Sequence, residues 1–243
     1  MRVRVRYSKL GKVRFISHRD GARLWERALR RVAVPVAFTE GFTPRPRLSF
    51  GLALPTGAES TAEYIDIELV EGTTIDGADA DRCLLTELSA ALPIGMDVQV
   101  IAPLESDAGT RRKSLQDEVT STTWELWGPG VEGSDFEAIA DRLLAADELP
   151  LERERKGRRH VDDVRPLIHD LRPDETGTRL VADIATVGRG VRPAELASLA
   201  FAGTARADIR VLRTQQWIEQ DGERREVLSL PVTVNALARG LSA

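Results

Sequence analysis

"RVRVRYSKLGKVRFISHRD", residues 2–20, decides how the chain begins to fold. Val3, Val5 and Tyr7 alternate with Arg2, Arg4 and Arg6. Successive side chains leave a strand on opposite faces, so the alternation predicts a half-buried strand with arginines on its polar side. Gly11 in "KLGK" predicts a turn, and "VRFI" a brief return to extended chain. Ser17 then stands three residues before Asp20, and an amphipathic run follows. This is a capping box with Asp in place of Glu: the Ser17 hydroxyl can accept an orphan N–H, and Asp20 suits the positive end of a helix. A helix is predicted from His18 to about Arg31, with Leu24, Trp25, Ala28, Leu29 and Val32 as its apolar stripe. Arg19, Arg23, Arg27 and Arg30, spaced by 4, 4 and 3, form a second stripe on a separate face. A solvated face is the plain reading of such a stripe, and the rest of the chain decides whether it is more.

Outward from this stretch, "VPVAFT" reads as a strand with Pro35 near its start, and a long connection runs from Glu40 to Ser60. "EYIDIEL", residues 63–69, alternates Tyr64, Asp66 and Glu68 with Ile65, Ile67 and Leu69. A helix over Ala78 to Ala91 and a strand in "MDVQVIAPL" complete the order β-α-β-β-α-β, the ferredoxin-like split βαβ pattern. Residues 105–120 read as a linker, after which the order repeats. "STTWELWG", "LPLERER", "TRLVADIAT" and "ADIRVLRTQQWIE" are the strands. "SDFEAIADRLLAADE", N-capped by Ser134, and "RPAELASLAF", with Pro193 in its first turn, are the helices. "ERREVLSLPVTV" adds an edge strand. The expected fold is therefore α+β: two tandem ferredoxin-like units with antiparallel sheets, over residues 1–104 and 121–243.

The composition is that of a soluble globular protein, and no apolar run approaches the roughly 20 residues of a membrane span, so no membrane partner is expected. The alternating N-terminus lacks the apolar core of a signal peptide. A single cysteine, Cys83, excludes an internal disulfide framework and fits the cytoplasm. Its amphipathic surroundings predict a small buried residue. No cluster has the spacing of zinc or iron–sulfur ligands, so no metal and no cofactor is expected. The net charge of −4 conceals a strong segregation. Residues 1–50 carry 13 basic and 3 acidic residues, whereas residues 51–110 carry 1 basic and 12 acidic. If the basic part converges into one cationic groove it attracts a polyanion; otherwise the two parts neutralise each other.

The connection "TEGFTPRPRLSFGLALPTG" is stiffened by Pro44, Pro46 and Pro55 and carries Arg45 and Arg47 between Phe42 and Phe50. Arginines beside aromatics on a stiff loop suit single-stranded nucleic acid, guanidinium groups meeting phosphates and rings stacking on bases. For Phe50, cover of the sheet is the preferred reading. In the second half "ERERKGRRH" carries Arg153, Arg155, Lys156, Arg158, Arg159 and His160, followed by Arg165. It reads as an anion-binding element or a solvated turn. His18 is the one histidine in a setting that suggests general acid–base chemistry, with Tyr7 or Ser17 assisting; capping and packing at a helix start is the plainer role.

"RYSKLGKVRFISHRD", "ERALRR", "TEGFTPRPRLSFGLALPTGAES" and "EYIDIEL" together resemble the radical-SAM-linked protein family, a family of unknown function; "DVRPLI", residues 163–168, adds a weaker match. The motif positions are Tyr7, Ser8, Ser17, His18, Asp20, Gly41, Pro44, Pro46, Ser49, Phe50, Glu63, Tyr64 and Asp66. The family usually has leucine after the histidine; Arg19 stands there in this chain. The resemblance implies a domain fused to, or encoded beside, a radical SAM enzyme. This chain has no three-cysteine cluster motif, so the enzyme would be another chain.

Three functions follow as expectations. The first is an RNA-binding adaptor for a separate radical SAM enzyme that modifies tRNA or rRNA. Arg14, Arg19, Arg23, Arg27, Arg30, Arg31, Arg45 and Arg47 would contact phosphate, and residues 153–159 with Arg165 would extend the track. The second is a metal-independent endoribonuclease or RNA-modifying enzyme using His18. The third is a protein–protein module whose acidic stretch 59–107 docks a basic partner.

Overall fold

The opening alternation becomes β1 (Arg2–Lys9), in a computed structural model that describes residues 1–73, 78–104, 114–155, 157–186 and 190–229. The chain divides into two units, Met1–Glu118 with Glu226–Ala243, and Val119–Arg225. Each is a mixed α and β body built on a mostly antiparallel sheet.

In the first unit α1 (His18–Arg31) follows β1, then β2 (Leu48–Phe50), β3 (Glu59–Glu68), α2 (Ala78–Ala91), β4 (Val98–Leu104) and the single turn α3 (Leu115–Glu118). β1 pairs antiparallel with β3 and β4, and β2 pairs with β3, giving the order β4-β1-β3-β2. Val3, Val5, Tyr7, Ile65 and Ile67 are buried in one core with Trp25, Ala28 and Leu29 of α1 and Leu88 of α2. Each large apolar side chain so buried stabilises by about 1.5–3 kcal/mol. Tyr7 meets Trp25 edge to face, with ring centroids 4.9 Å apart.

The cap of α1 is the one the sequence predicts. Ser17 Oγ accepts the Asp20 N–H at 3.2 Å and donates to Asp20 Oδ2 at 2.7 Å. That hydroxyl, and then the Arg23 guanidinium, hold the Asp20 carboxyl below its ordinary pKa. The far end is a Schellman turn: Ala33 N–H donates to the Arg30 carbonyl, Val34 N–H to that of Leu29, and Ala33 sits at φ 58°.

Four expectations are corrected here. "VRFI" lies mostly in a 3-10 turn, Gly11–Phe15, not in extended chain. "VPVAFT" forms only isolated bridges, Val36 to Leu69 and Phe38 to Pro46, because Pro35 and Pro46 cannot donate to a ladder. The second strand is instead Leu48–Phe50, inside the expected connection. On β1, Arg4 and Arg6 are buried instead of solvated, paired with Asp66 and Glu226 respectively. Arg6 Nη1 there donates to the Glu226 carboxylate and to the Leu228 carbonyl at 2.8 Å, so residues 226–229 return to the first unit. Residues 105–113 of the expected linker lie outside the described residues.

The second unit runs β5 (Val119–Trp127), α4 (Ser134–Leu144), β6 (Pro150–Arg155), β7 (Arg158–Asp163), β8 (Ile168–Pro173), β9 (Leu180–Ala185), α5 (Pro193–Ala200), β10 (Arg210–Gln220) and β11 (Glu223–Glu226). Its sheet has the order β10-β5-β9-β8, and β11 pairs with β10. Leu126, Leu180, Ala182 and Ile184 are buried, as are Phe136 and Leu143 of α4 and Leu196 of α5. Phe136 and Phe201 meet edge to face at 6.2 Å. The N-cap of α4 is Gly133, one residue before the expected Ser134.

"LPLERER" is also corrected. Among the described residues β6 pairs only with β7, as a separate two-stranded hairpin, and the place beside β9 belongs to β8. The reason lies in the side chains: β8 supplies Ile168 and Leu171 to the core, whereas β6 alternates glutamates and arginines and has little to bury.

Candidate nucleic-acid interface

α1 is held from below by Trp25, Ala28 and Leu29, and this fixes what its outer side shows. Arg19, Arg23, Arg27, Arg30 and Arg31 are all exposed. At 1.5 Å per residue, Arg19 to Arg30 cover roughly 16 Å along the axis. Asp20 and Glu26 are interleaved with them. Arg23 Nη1 reaches Asp20 at 3.3 Å with both side chains more than half exposed, and such a pair is worth about 0–1 kcal/mol and opens readily. Arg27 Nε donates to the Arg23 carbonyl at 3.3 Å.

The other early arginines do not join this row. Arg4 makes a bidentate pair with Asp66, and Arg2 and Arg47 both reach Glu68. Arg14 lies 3.6 Å from Glu59 and over the Phe15 ring at 4.6 Å. The single cationic groove expected from residues 1–50 is therefore not formed. The physical reason is register: Arg2 stands opposite Glu68 and Arg4 opposite Asp66, so acids of the second segment neutralise arginines of the first. Two antiparallel strands with opposite charges at alternate positions were the available signal for Glu68 and Asp66 as partners; nothing local marked Glu59.

Arg45 and Arg47 lie on one arm of a hairpin-like loop. Thr39 N–H donates to the Arg45 carbonyl at 2.9 Å, Arg45 N–H to Thr39 Oγ1 at 3.0 Å, and Arg47 N–H to the Ala37 carbonyl at 2.8 Å. Gly41 takes φ 119° at the tip, where Pro44 and Phe42 are exposed, Phe42 completely. Pro46 is half-buried on the arm. Phe50 packs against the core and against the His18 ring, 5.1 Å between centroids.

His18 is exposed at the start of α1, and among the described residues its ring has no hydrogen-bond partner. Tyr7 is committed to the core and Ser17 to the helix cap. Ser8 Oγ accepts the Asp97 N–H at 3.1 Å. Glu63 and Tyr64 are buried on β3, and Ser49 stands opposite Asp66. Cys83, expected to be buried, is exposed on α2; the nearby Glu87 carboxylate, 3.5 Å from Sγ, raises its thiol pKa.

In the second unit Arg158, Arg159 and His160 are exposed on β7. Arg153 is occupied: it donates to Glu195 at 2.7 Å, to Asp162 at 3.2 Å and to the Gly190 carbonyl at 2.9 Å, and the Glu195 carboxylate, then that of Asp162, raises its already high pKa. Glu195 also accepts the Arg192 N–H at the start of α5, so Arg153 roots the hairpin on that helix. Arg165 donates to the Leu144 carbonyl at the end of α4 and to that of Ile168, which makes it a helix cap. Lys156 and the Arg155 side chain lie outside the described residues.

Residues 2–194 match the family model of DUF2344, described as an uncharacterized protein conserved in bacteria. The chain belongs to this family. The DUF2344 match runs from β1 into the first turn of α5, and so contains α1, the 36–48 loop and the β6–β7 hairpin. No curated protein matches the chain. Among the described residues no helix of this DUF2344 member is long and apolar enough to cross a membrane.

Proposed function

We propose that this DUF2344 protein is an RNA-binding accessory factor that presents tRNA or rRNA to a separate radical SAM enzyme. The observation that carries the RNA reading is the row of exposed arginines on α1, held in place by a helix whose opposite side is buried. Arginine binds phosphate in a planar fork, and a row on a stiff helix can follow one strand without losing side-chain order in each contact. Phe42 and Arg45 add a stacking ring and a cation on a shaped loop, which favours unpaired bases over a duplex. The radical SAM partner rests on the family resemblance of the motif residues. The chain has one cysteine, so the cluster ligands belong to the partner. Both units are read as ferredoxin-like, because β4-β1-β3-β2 and β10-β5-β9-β8 each place the first strand between the third and the fourth.

The test is salt-dependent binding of a fluorescent single-stranded RNA. Four phosphate contacts give a slope of log affinity against log salt of about −3, or about 50-fold between 50 and 200 mM. Replacing Arg19, Arg23, Arg27 and Arg30 with Gln, whose helix propensity is similar, should flatten that slope by about 3 and leave the circular dichroism unchanged. An unaltered slope defeats the assignment. Catalysis by His18 lacks an assembled partner for the ring. A cleavage assay comparing the wild type with His18→Ala tests it directly, a loss of cleavage in the variant being the result that would revive it.

A further inference from the structure

A second cluster of exposed arginine lies on the polar face of the first unit's sheet, which separates it from α1. Arg2 on β1, Arg47 just before β2 and Glu68 at the end of β3 line one depression of about 330 Å³, with Thr39, Ser49 and Asp66. Arg47 Nη1 is 2.8 Å from Glu68 and Arg2 Nη2 is 3.6 Å from it, so one carboxylate is shared by two guanidinium groups. The arginines are 45% and 44% exposed and Glu68 31%. Asp66 does not compete for them, since both its oxygens receive Arg4, at 2.7 and 2.9 Å. Two guanidinium groups against one available carboxylate leave an excess of positive charge at the rim.

Strand pairing fixes this geometry. Arg2 stands opposite Glu68 and Ser49 opposite Asp66, and the loop bonds to Arg45 and Ala37 hold Thr39 and Arg47. Two guanidinium forks and two hydroxyl donors suit an anion with three or more terminal oxygens better than a carboxylate with two. An exposed pair such as Arg47–Glu68 contributes little and exchanges easily. We infer that the depression binds a phosphate group, with Glu68 keeping Arg2 and Arg47 poised until the phosphate displaces it. Thr39 and Arg47 belong to the two arms of the loop whose tip is Phe42. The site therefore suits the phosphate of a nucleotide or of a single strand whose base reaches that tip.

The probes are inorganic phosphate, adenosine 5′-monophosphate and a 5′-hydroxyl decamer of adenylate, titrated calorimetrically at low salt into the full chain. Arg2→Gln with Arg47→Gln should weaken the binding probe by at least about tenfold, as expected for lost hydrogen bonds to charged groups. Glu68→Gln should tighten it several-fold, a change that a merely structural carboxylate does not produce. All three positions are partly exposed, so near-ultraviolet circular dichroism should stay unchanged. Binding of the monophosphate without the decamer assigns the site to free phosphate monoesters. Binding of the decamer alone assigns it to the strand's diesters. The inference is overturned if no probe binds, or if binding is indifferent to both variants. The α1 variant with four glutamines should retain this site, so failure of RNA binding by α1 and failure of the phosphate site are separate results.

Discussion

Truncating Asp66 to Ala probes a buried ion pair inside the first unit. Arg4 Nε and Nη2 donate to the two Asp66 oxygens, and the side chains are 5% and 7% exposed. That burial sets the magnitude. An exposed pair is worth about 0–1 kcal/mol, but removing one partner of a buried pair costs about 3–5 kcal/mol, because the remaining charge stays out of water uncompensated. In a chain of this size each kcal/mol moves the melting temperature by about 2–4 °C, so Asp66→Ala should lower it by on the order of 10 °C. Urea denaturation followed by circular dichroism measures the same loss at fixed temperature. The decisive comparison is the double variant, Arg4→Met with Asp66→Leu. An apolar pair of similar volume removes both desolvation costs together, so the double should be more stable than either single. A loss below about 1 kcal/mol in Asp66→Ala, or a double variant whose loss is the sum of the singles, would refute the reasoning.

Three further outcomes are expected. Ala33→Gly should stabilise by about 0.5 kcal/mol in urea titrations, because relief of the left-handed strain at φ 58° outweighs the added freedom of glycine in the unfolded chain. Gly95→Ala should cost about 2 kcal/mol or more by the same measurement. A Cβ there would lie 2.3 Å from the Leu10 carbonyl oxygen, in a turn where Leu10 N–H donates to the Gly95 carbonyl at 2.8 Å. Burial alone would raise the Asp174 pKa, but Thr176 Oγ1 and the N–H groups of Thr178 and Arg179 hold it below its ordinary value. A depressed folded value means that the contribution is complete above the unfolded pKa and is lost as pH falls through the folded one. Melting temperature should therefore drop below about pH 4, and by less in Asp174→Asn, whose stability is already lower at pH 7.

Elements with period and punctuation together were legible in the sequence. The α1 cap needed only Ser17 and Asp20, and the alternation in β1 and β3 pointed to the strands and to the face that Ile65 and Ile67 would bury. Elements decided by tertiary competition were not legible. β2 has only three residues, and nothing local distinguishes "LSF" from the loop around it. "PLERER" and "IHDLRP" both have strand-like stretches, and only the core's demand for Ile168 and Leu171 chooses between them. Arg153 and Arg165 illustrate the same limit at the site. A run of arginines looks alike whether it faces solvent or caps a helix, because the carbonyls of Gly190 and Leu144 lie far away in sequence.

Charge segregation along the chain is thus a poor guide to surface potential once strands pair. Residues 1–50 hold 13 basic residues, but Arg2 and Arg4 on β1 meet Glu68 and Asp66, which the sheet register brings opposite them, Arg47 beside β2 also reaches Glu68, and Arg6 meets Glu226. A helix has no such neighbour strand. On α1 five arginines have two acids on the same helix, Asp20 and Glu26, and of these Asp20 is also hydrogen-bonded to its cap. The cationic surface available to a polyanion is therefore a property of secondary structure type as much as of composition. In the first unit the arginines on β1 and beside β2 have carboxylate partners, Arg2 and Arg47 sharing one exchangeable Glu68, whereas those on α1 stay exposed.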